Sequence, residues 1–163
     1  MKLIPYEKLV LKSALEIDEL KQRLIYRTEP KKFWSFRGFA GNSKTYEGTI
    51  VGNSFELRRI INYRNDFRPY IVGEMKREGE TTLIPIVFTP GTFVLVILGI
   101  SGAGLSLANL YFLIKLAAVG TFEPPGIASL VVFGIFYLVI LVSFRYEVST
   151  SKKDLMKYFN ASL

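Results

Sequence analysis

The sequence predicts an α+β chain in three parts. Residues 1–90 form a small antiparallel-sheet domain with one early helix, 91–144 a two-helix transmembrane hairpin, and 145–163 a short amphipathic C-terminal helix. Three observations carry this reading. Lys and Arg number 16 in residues 1–90, one in 91–144 and four in 145–163, and Asp and Glu number 11, one and two, so the middle block is nearly uncharged. That block holds two long apolar runs separated by Gly120 and Pro124-Pro125. The first block instead alternates β-rich runs with turn residues and contains one stretch at helical spacing.

In chain order, residues 7–12 read as a strand. Ser13 with Glu16 three residues on fits a capping box, and Ile17, Leu20 and Leu24 recur at helical spacing, so a helix is expected over about 14–27. Residues 33–39 are rich in aromatics, and Gly41-Asn42-Ser43 is a turn. A strand at 45–51, the pair Gly52-Asn53 and a strand at 55–63 make a hairpin. Arg64-Asn65-Asp66 closes that strand, 68–76 is the next, and 81–88 leads to Pro90 at the membrane. In the 55–63 strand Phe55, Leu57 and Ile61 share a face with Arg59, and Ile60 shares the other with Glu56 and Arg58. Neither face is purely apolar, so Arg59 or Ile60 is expected to contact something beyond the domain's own core.

Residues 91–114 and 126–144 carry no charge. At about 1.5 Å per residue they span roughly 36 and 28 Å, against a hydrocarbon core of about 30 Å. The short connection makes them an antiparallel hairpin. Lys76, Arg77, Arg145, Lys152, Lys153 and Lys157 flank one side, against Lys115 and Glu123 in the loop, so the positive-inside rule places both termini in the cytoplasm, or the stroma of a thylakoid. The opening Met1-Lys2-Leu3-Ile4-Pro5-Tyr6 has no apolar signal-peptide core, so the first span is expected to act as its own insertion signal. In the tail, Leu155, Phe159 and one side of Tyr158 form a stripe beside Lys152, Lys153 and Lys157, which fits an interfacial or domain-docking helix.

Composition excludes much chemistry. With no Cys there is no disulfide, thiolate nucleophile or Cys-ligated metal, and with no His there is no imidazole base or His-ligated haem. Neither a cofactor nor an enzymatic activity is expected. The net charge of +7 invites a nucleic-acid reading, but positive-inside topology accounts for it, and anionic lipid headgroups are the nearest negative partners. Nucleic acid is therefore not expected.

The run Phe55-Glu56-Leu57-Arg58-Arg59-Ile60-Ile61-Asn62-Tyr63-Arg64-Asn65-Asp66-Phe67-Arg68-Pro69-Tyr70-Ile71-Val72-Gly73 resembles a signature of small two-helix membrane proteins, many of them cyanobacterial. That signature reads as an Arg-containing strand, then Tyr-Arg-Asn-x-Phe-x-Pro-x-Ile-x-Gly, with Asp66 standing where the family pattern has Ser. Leu3-Ile4-Pro5-Tyr6-Glu7, Glu47-Gly48, the two late apolar helices and the basic tail look like the same family. The resemblance implies the same topology, with a thylakoid or other photosynthetic membrane as one setting. It implies no activity.

The candidate contact residues follow. Arg58, Arg59, Tyr63, Arg64, Phe67 and Arg68 crowd one hairpin, and a guanidinium at the Tyr63-Arg64-Asn65 tip suits a carboxylate, a phosphate or a partner's carbonyls. The alternatives there are cross-strand Glu–Arg pairing and a purely structural turn. In the first span Gly99 and Ala103, and Gly102 and Ser106, give small faces that admit a neighbouring backbone, with Gly134 as a receiving position in the second. That neighbour is either the other helix of the hairpin or a foreign helix, pigment or lipid. Asn109 is expected to need a hydrogen-bond partner at that depth. The run Gly99–Gly104 is no phosphate loop, since it has no Lys and follows no soluble strand.

Two function classes are consistent with these features. The first is a non-catalytic accessory subunit or assembly factor of an integral membrane protein complex. The second is a membrane-tethered domain whose sheet and helix enclose a lipid or other apolar molecule.

Overall fold

The computed structural model describes residues 4–30, 44–61, 67–120 and 124–162. Its elements are β1 (Glu7–Ser13), α1 (Ile17–Arg27), β2 (Thr28–Pro30), β3 (Tyr46–Val51), β4 (Ser54–Arg59), β5 (Tyr70–Glu74), β6 (Lys76–Glu78), β7 (Thr81–Thr89), α2 (Thr92–Val119), α3 (Pro124–Tyr158) and β8 (Ala161–Ser162). The strands form one sheet in the order β2-β3-β4-β5-β7-β1-β8, with β6 pairing on β7. The pairings are antiparallel except β2 with β3, which run parallel. The chain is α+β: a mixed sheet, then two long apolar helices.

The expected hairpin at Gly52-Asn53 forms, with Val51 opposite Ser54. Gly52 has φ 58°, a conformation side chains rarely adopt, which is why a glycine opens this two-residue turn. β7 alternates buried and half-buried residues along its length. Its buried face, with Leu11, Phe55, Leu57 and Ile71 from neighbouring strands, meets Leu20 and Leu24 of α1. The opposite face is open, with Lys8, Val10, Lys12 and Val72 exposed.

Four expectations change. The strand at 68–76 divides into β5 and β6 at Met75, which is buried and donates its N–H to the Asn53 carbonyl at 2.9 Å. The strand at 55–63 ends at Arg59. The early helix begins at Ile17, with Glu16 as its N-cap and no side-chain cap bond. Ser13 does not cap it, because its hydroxyl donates to the Phe159 carbonyl at 2.7 Å and accepts from the Leu15 N–H at 3.1 Å. Tertiary contact outcompetes the local motif there.

The fourth difference is the largest. The short, separate C-terminal helix is instead the continuation of α3, one helix of 35 residues. The change from apolar to charged residues at Arg145 marks a change of surroundings, and nothing in the backbone interrupts the helix there. Phe144, Val148, Leu155 and Phe159 are buried in the same cluster as the sheet's Leu11, Phe55 and Ile86. Residues from both ends of the chain therefore build one core, which β8 closes by pairing with β1 at Ser13↔Ala161.

Among the described residues two helices are long and apolar enough to cross a membrane: Thr92–Val119, with mean hydropathy 2.0, and Ala128–Tyr158, with mean hydropathy 2.2, each in its most apolar stretch. α2 runs past the expected residue 114 and stops at Gly120, whose φ of 71° ends it while its N–H donates to the Leu116 carbonyl at 2.9 Å. Most α2 side chains are exposed, as expected for a surface that faces lipid.

Candidate functional site

Sheet register fixes what lies at the end nearest the apolar helices. β7 enters α2 through Pro90 and Gly91, and at that end Tyr70 stands opposite Thr89, Glu7 opposite Phe88 and Arg58 opposite Tyr70. The Tyr70 ring packs on Gly91, where an added Cβ would come within 3.2 Å of it. Arg58 lies over the Tyr70 ring at 5.3 Å. On the α3 side, Arg145 donates to the Glu7 carboxylate at 3.1 Å. Cation and aromatic side chains thus line the boundary, which suits a headgroup layer.

Behind this boundary a polar cluster lies between the sheet and α3. Arg59 donates to Glu147 at 3.3 Å and stands 3.6 Å from Asp154, so one guanidinium bridges two carboxylates that lie two helical turns apart on α3. Glu147 is fully buried. Burial works against the charge of Arg59, but its bond to Glu147 and the charges of Glu147 and Asp154 outweigh that and hold its proton more tightly than usual. Tyr46, paired opposite Arg59 in the sheet, is buried. Neither its hydroxyl nor that of Ser151 makes a hydrogen bond of good geometry, although Ser151 lies near enough to pull the phenol's pKa partly back down. Burial, and then the nearby Asp154 charge, push the Tyr46 phenol well above the usual tyrosine range. Arg59, expected to contact something beyond the first domain's own core, has its partners on the stretch of α3 that was expected to be a separate tail.

The other hairpin residues divide. Arg68 is buried and donates to the Arg59 carbonyl at 2.7 Å. Phe67 is half-buried. Tyr63 and Arg64 lie outside the described residues, as do the 33–39 aromatic run and the 41–43 turn. Because β4 ends at Arg59 and β5 starts at Tyr70, both ends of that connection lie at the end of the sheet nearest the apolar helices.

In the apolar helices, a Cβ placed at Gly99, Gly102 or Gly134 would meet no atom within 4 Å. Close packing inside the hairpin therefore does not use these glycines. Ala103 and Ser106 are exposed beside them. Ser106 Oγ donates to the Gly102 carbonyl and Asn109 Nδ2 to the Leu105 carbonyl, both at 2.8 Å. The expected need of Asn109 for a partner is met by its own helix.

Sequence reasoning missed a groove of about 610 Å³ between α1 and the end of α3. Gln22, Arg23, Tyr26, Arg27, Asp154, Lys157 and Tyr158 line it. The Arg27 guanidinium sits against two rings, 5.4 Å from Tyr26 and 5.2 Å from Tyr158. Arg23 is held by Glu19 at 2.7 Å and reaches the Tyr158 carbonyl at 3.3 Å. The readable signal was the spacing of Phe144, Val148, Ser151 and Leu155, which continues the α3 stripe into the tail and brings Lys157 beside α1. Among the described residues no group of acidic side chains is arranged to hold a metal ion.

No family model, curated protein or solved structure matches this chain.

Proposed function

We propose that this chain is a non-catalytic accessory subunit or assembly factor of a larger membrane protein complex, a two-pass protein with both termini in the cytoplasm or stroma. The observation that carries the reading is the open small-residue surface of α2. Gly99 and Gly102 meet nothing within the hairpin, so the close approach they permit is left for a helix from another protein. The head adds a rigid cytoplasmic body joined to the hairpin at both β7–α2 and α3. The excess of Lys and Arg on the head and tail supports the orientation, and the sequence resemblance makes thylakoid membranes a setting for the test. Enclosure of an apolar ligand draws no support from the fold, because Leu57, Ile71, Ile86, Phe144 and Phe159 occupy the space between sheet and helices.

Native electrophoresis of membranes solubilised in mild detergent tests the proposal. Comigration with a large complex is the expected result, and a lone small band would overturn it. Orientation is tested separately by a label at Thr121, expected to react only from the side opposite the head.

A further inference from the structure

The groove between α1 and α3 is lined by the cations Arg23, Arg27 and Lys157. Glu19 engages Arg23, and Asp154 is turned toward Arg59. Arg27 and Lys157 have no carboxylate partner among the described residues. Arg27 is nevertheless ordered by the Tyr26 and Tyr158 rings, and a stacked guanidinium keeps its N–H edge free for an acceptor. Tyr26 is 73% exposed on a soluble helix, a large amphipathic surface beside two cations. Arg and Tyr together are the composition of protein-interface hot spots.

Position selects the class of occupant. Lys157 and Tyr158 follow Phe144 along an unbroken helix, about 20 Å beyond the apolar span at about 1.5 Å per residue. The headgroup layer is only about 5–8 Å deep on each side, so it does not reach the groove. The cations come from two helices and share the open trough with the exposed Tyr26 ring. A lining of cations and an apolar ring matches a peptide bearing carboxylates and apolar side chains better than one compact inorganic anion. We propose that this groove docks an acidic segment of a protein partner, with Arg27 and Lys157 meeting its carboxylates and Tyr26 its apolar atoms. The proposal rests on the accessory-subunit reading and names where the partner's soluble part sits.

The test uses the purified full chain in uncharged detergent and a fluorescein-labelled peptide of alternating Glu and Leu, followed by fluorescence anisotropy. Saturable, salt-sensitive binding is expected. Arg27→Gln with Lys157→Gln is expected to weaken it about tenfold or more, the usual scale for losing charged hydrogen-bond partners. Lys8→Gln with Lys12→Gln removes equal charge from the open sheet face and is expected to leave affinity unchanged. Equal weakening by both pairs would mean general charge attraction, and no saturable binding would mean no site; either overturns the proposal. Displacement by inorganic phosphate, at an ionic strength where chloride does not displace, would assign the groove to a small anion instead. Because the assay uses purified protein, its failure alongside intact comigration removes the docking site and leaves the subunit reading standing.

Discussion

Replacing Arg59 with Met tests whether the sheet and α3 are joined by charge. The substitution keeps most of the stem's volume and takes the shared cation away from Glu147, which is fully buried, and Asp154, which is 29% exposed. Removing one partner of a buried ion pair costs about 3–5 kcal/mol. The Arg59 side chain is itself 22% exposed, so solvent relieves part of that and the lower end, about 3 kcal/mol, is expected. With a urea slope of about 1–3 kcal/mol per molar, the midpoint for loss of near-ultraviolet circular dichroism in mild detergent should fall by roughly 1–3 M. Glu147→Gln should cost less, about 1–2 kcal/mol, because Asp154 still faces Arg59. The combination Arg59→Met, Glu147→Leu, Asp154→Asn should recover much of the loss, since exchanging buried ion-pair partners together for uncharged groups is often neutral. A loss below about 1 kcal/mol for Arg59→Met, or a triple variant no better than the single, would refute the claim that this cluster holds α3 to the sheet.

Four further predictions concern pH, packing and assembly. Tyr46 has its phenol raised by burial, so above about pH 10 only the unfolded chain ionises there, and stability should fall by about 1.4 kcal/mol per pH unit as pH rises. Tyr46→Phe should remove that alkaline slope and change stability by less than about 1 kcal/mol at neutral pH, since the hydroxyl lost makes no hydrogen bond of good geometry; an unchanged slope in pH-dependent unfolding counts against the assignment. Phe159→Ala should cost about 3–5 kcal/mol in the same urea assay, because the ring is fully buried against Phe55. At Gly48 a Cβ would overlap the backbone carbonyl of Glu56, so Gly48→Ala should destabilise the sheet by about 2 kcal/mol or more. Gly99→Leu and Gly102→Leu should leave the fold intact and weaken comigration with the complex; if both variants assemble normally, these glycines face lipid.

What the sequence made legible was local. Gly52-Asn53 between two alternating runs specifies a hairpin wherever it occurs, and the two uncharged runs specify helices by length and composition alone. The capping box at Ser13 and Glu16 was equally local, but the hydroxyl of Ser13 was needed by Phe159, far along the chain. The same distance hid Arg59–Glu147, a pair that becomes visible only when α3 is known to cross the sheet. Reading the tail as a separate element treated charge as punctuation. Helices end at glycine, proline or a competing cap, and residues 135–158 contain neither Gly nor Pro. The proposed contact residues fared according to their surroundings: Arg68 bonds within the fold, whereas the small faces of α2 stay open.

The unbroken α3 has a mechanical consequence. Its last stretch, residues 145–158, is an arm about 21 Å long, packed along its length in the core of the sheet and continuous at its start with the span. Spans answer a thinner or thicker bilayer by tilting, commonly within about 0–40°. A change of about 20° in that tilt swings the far end of the arm by about 7 Å, more than the spacing of neighbouring strands. The β7–α2 junction, pinned by the Tyr70 ring on Gly91, resists independent swivel. For the two-pass arrangement and the docking site proposed above, bilayer thickness would thereby be converted into the height and angle of the α1–α3 groove, and a membrane of the wrong thickness would present the same surface at the wrong place.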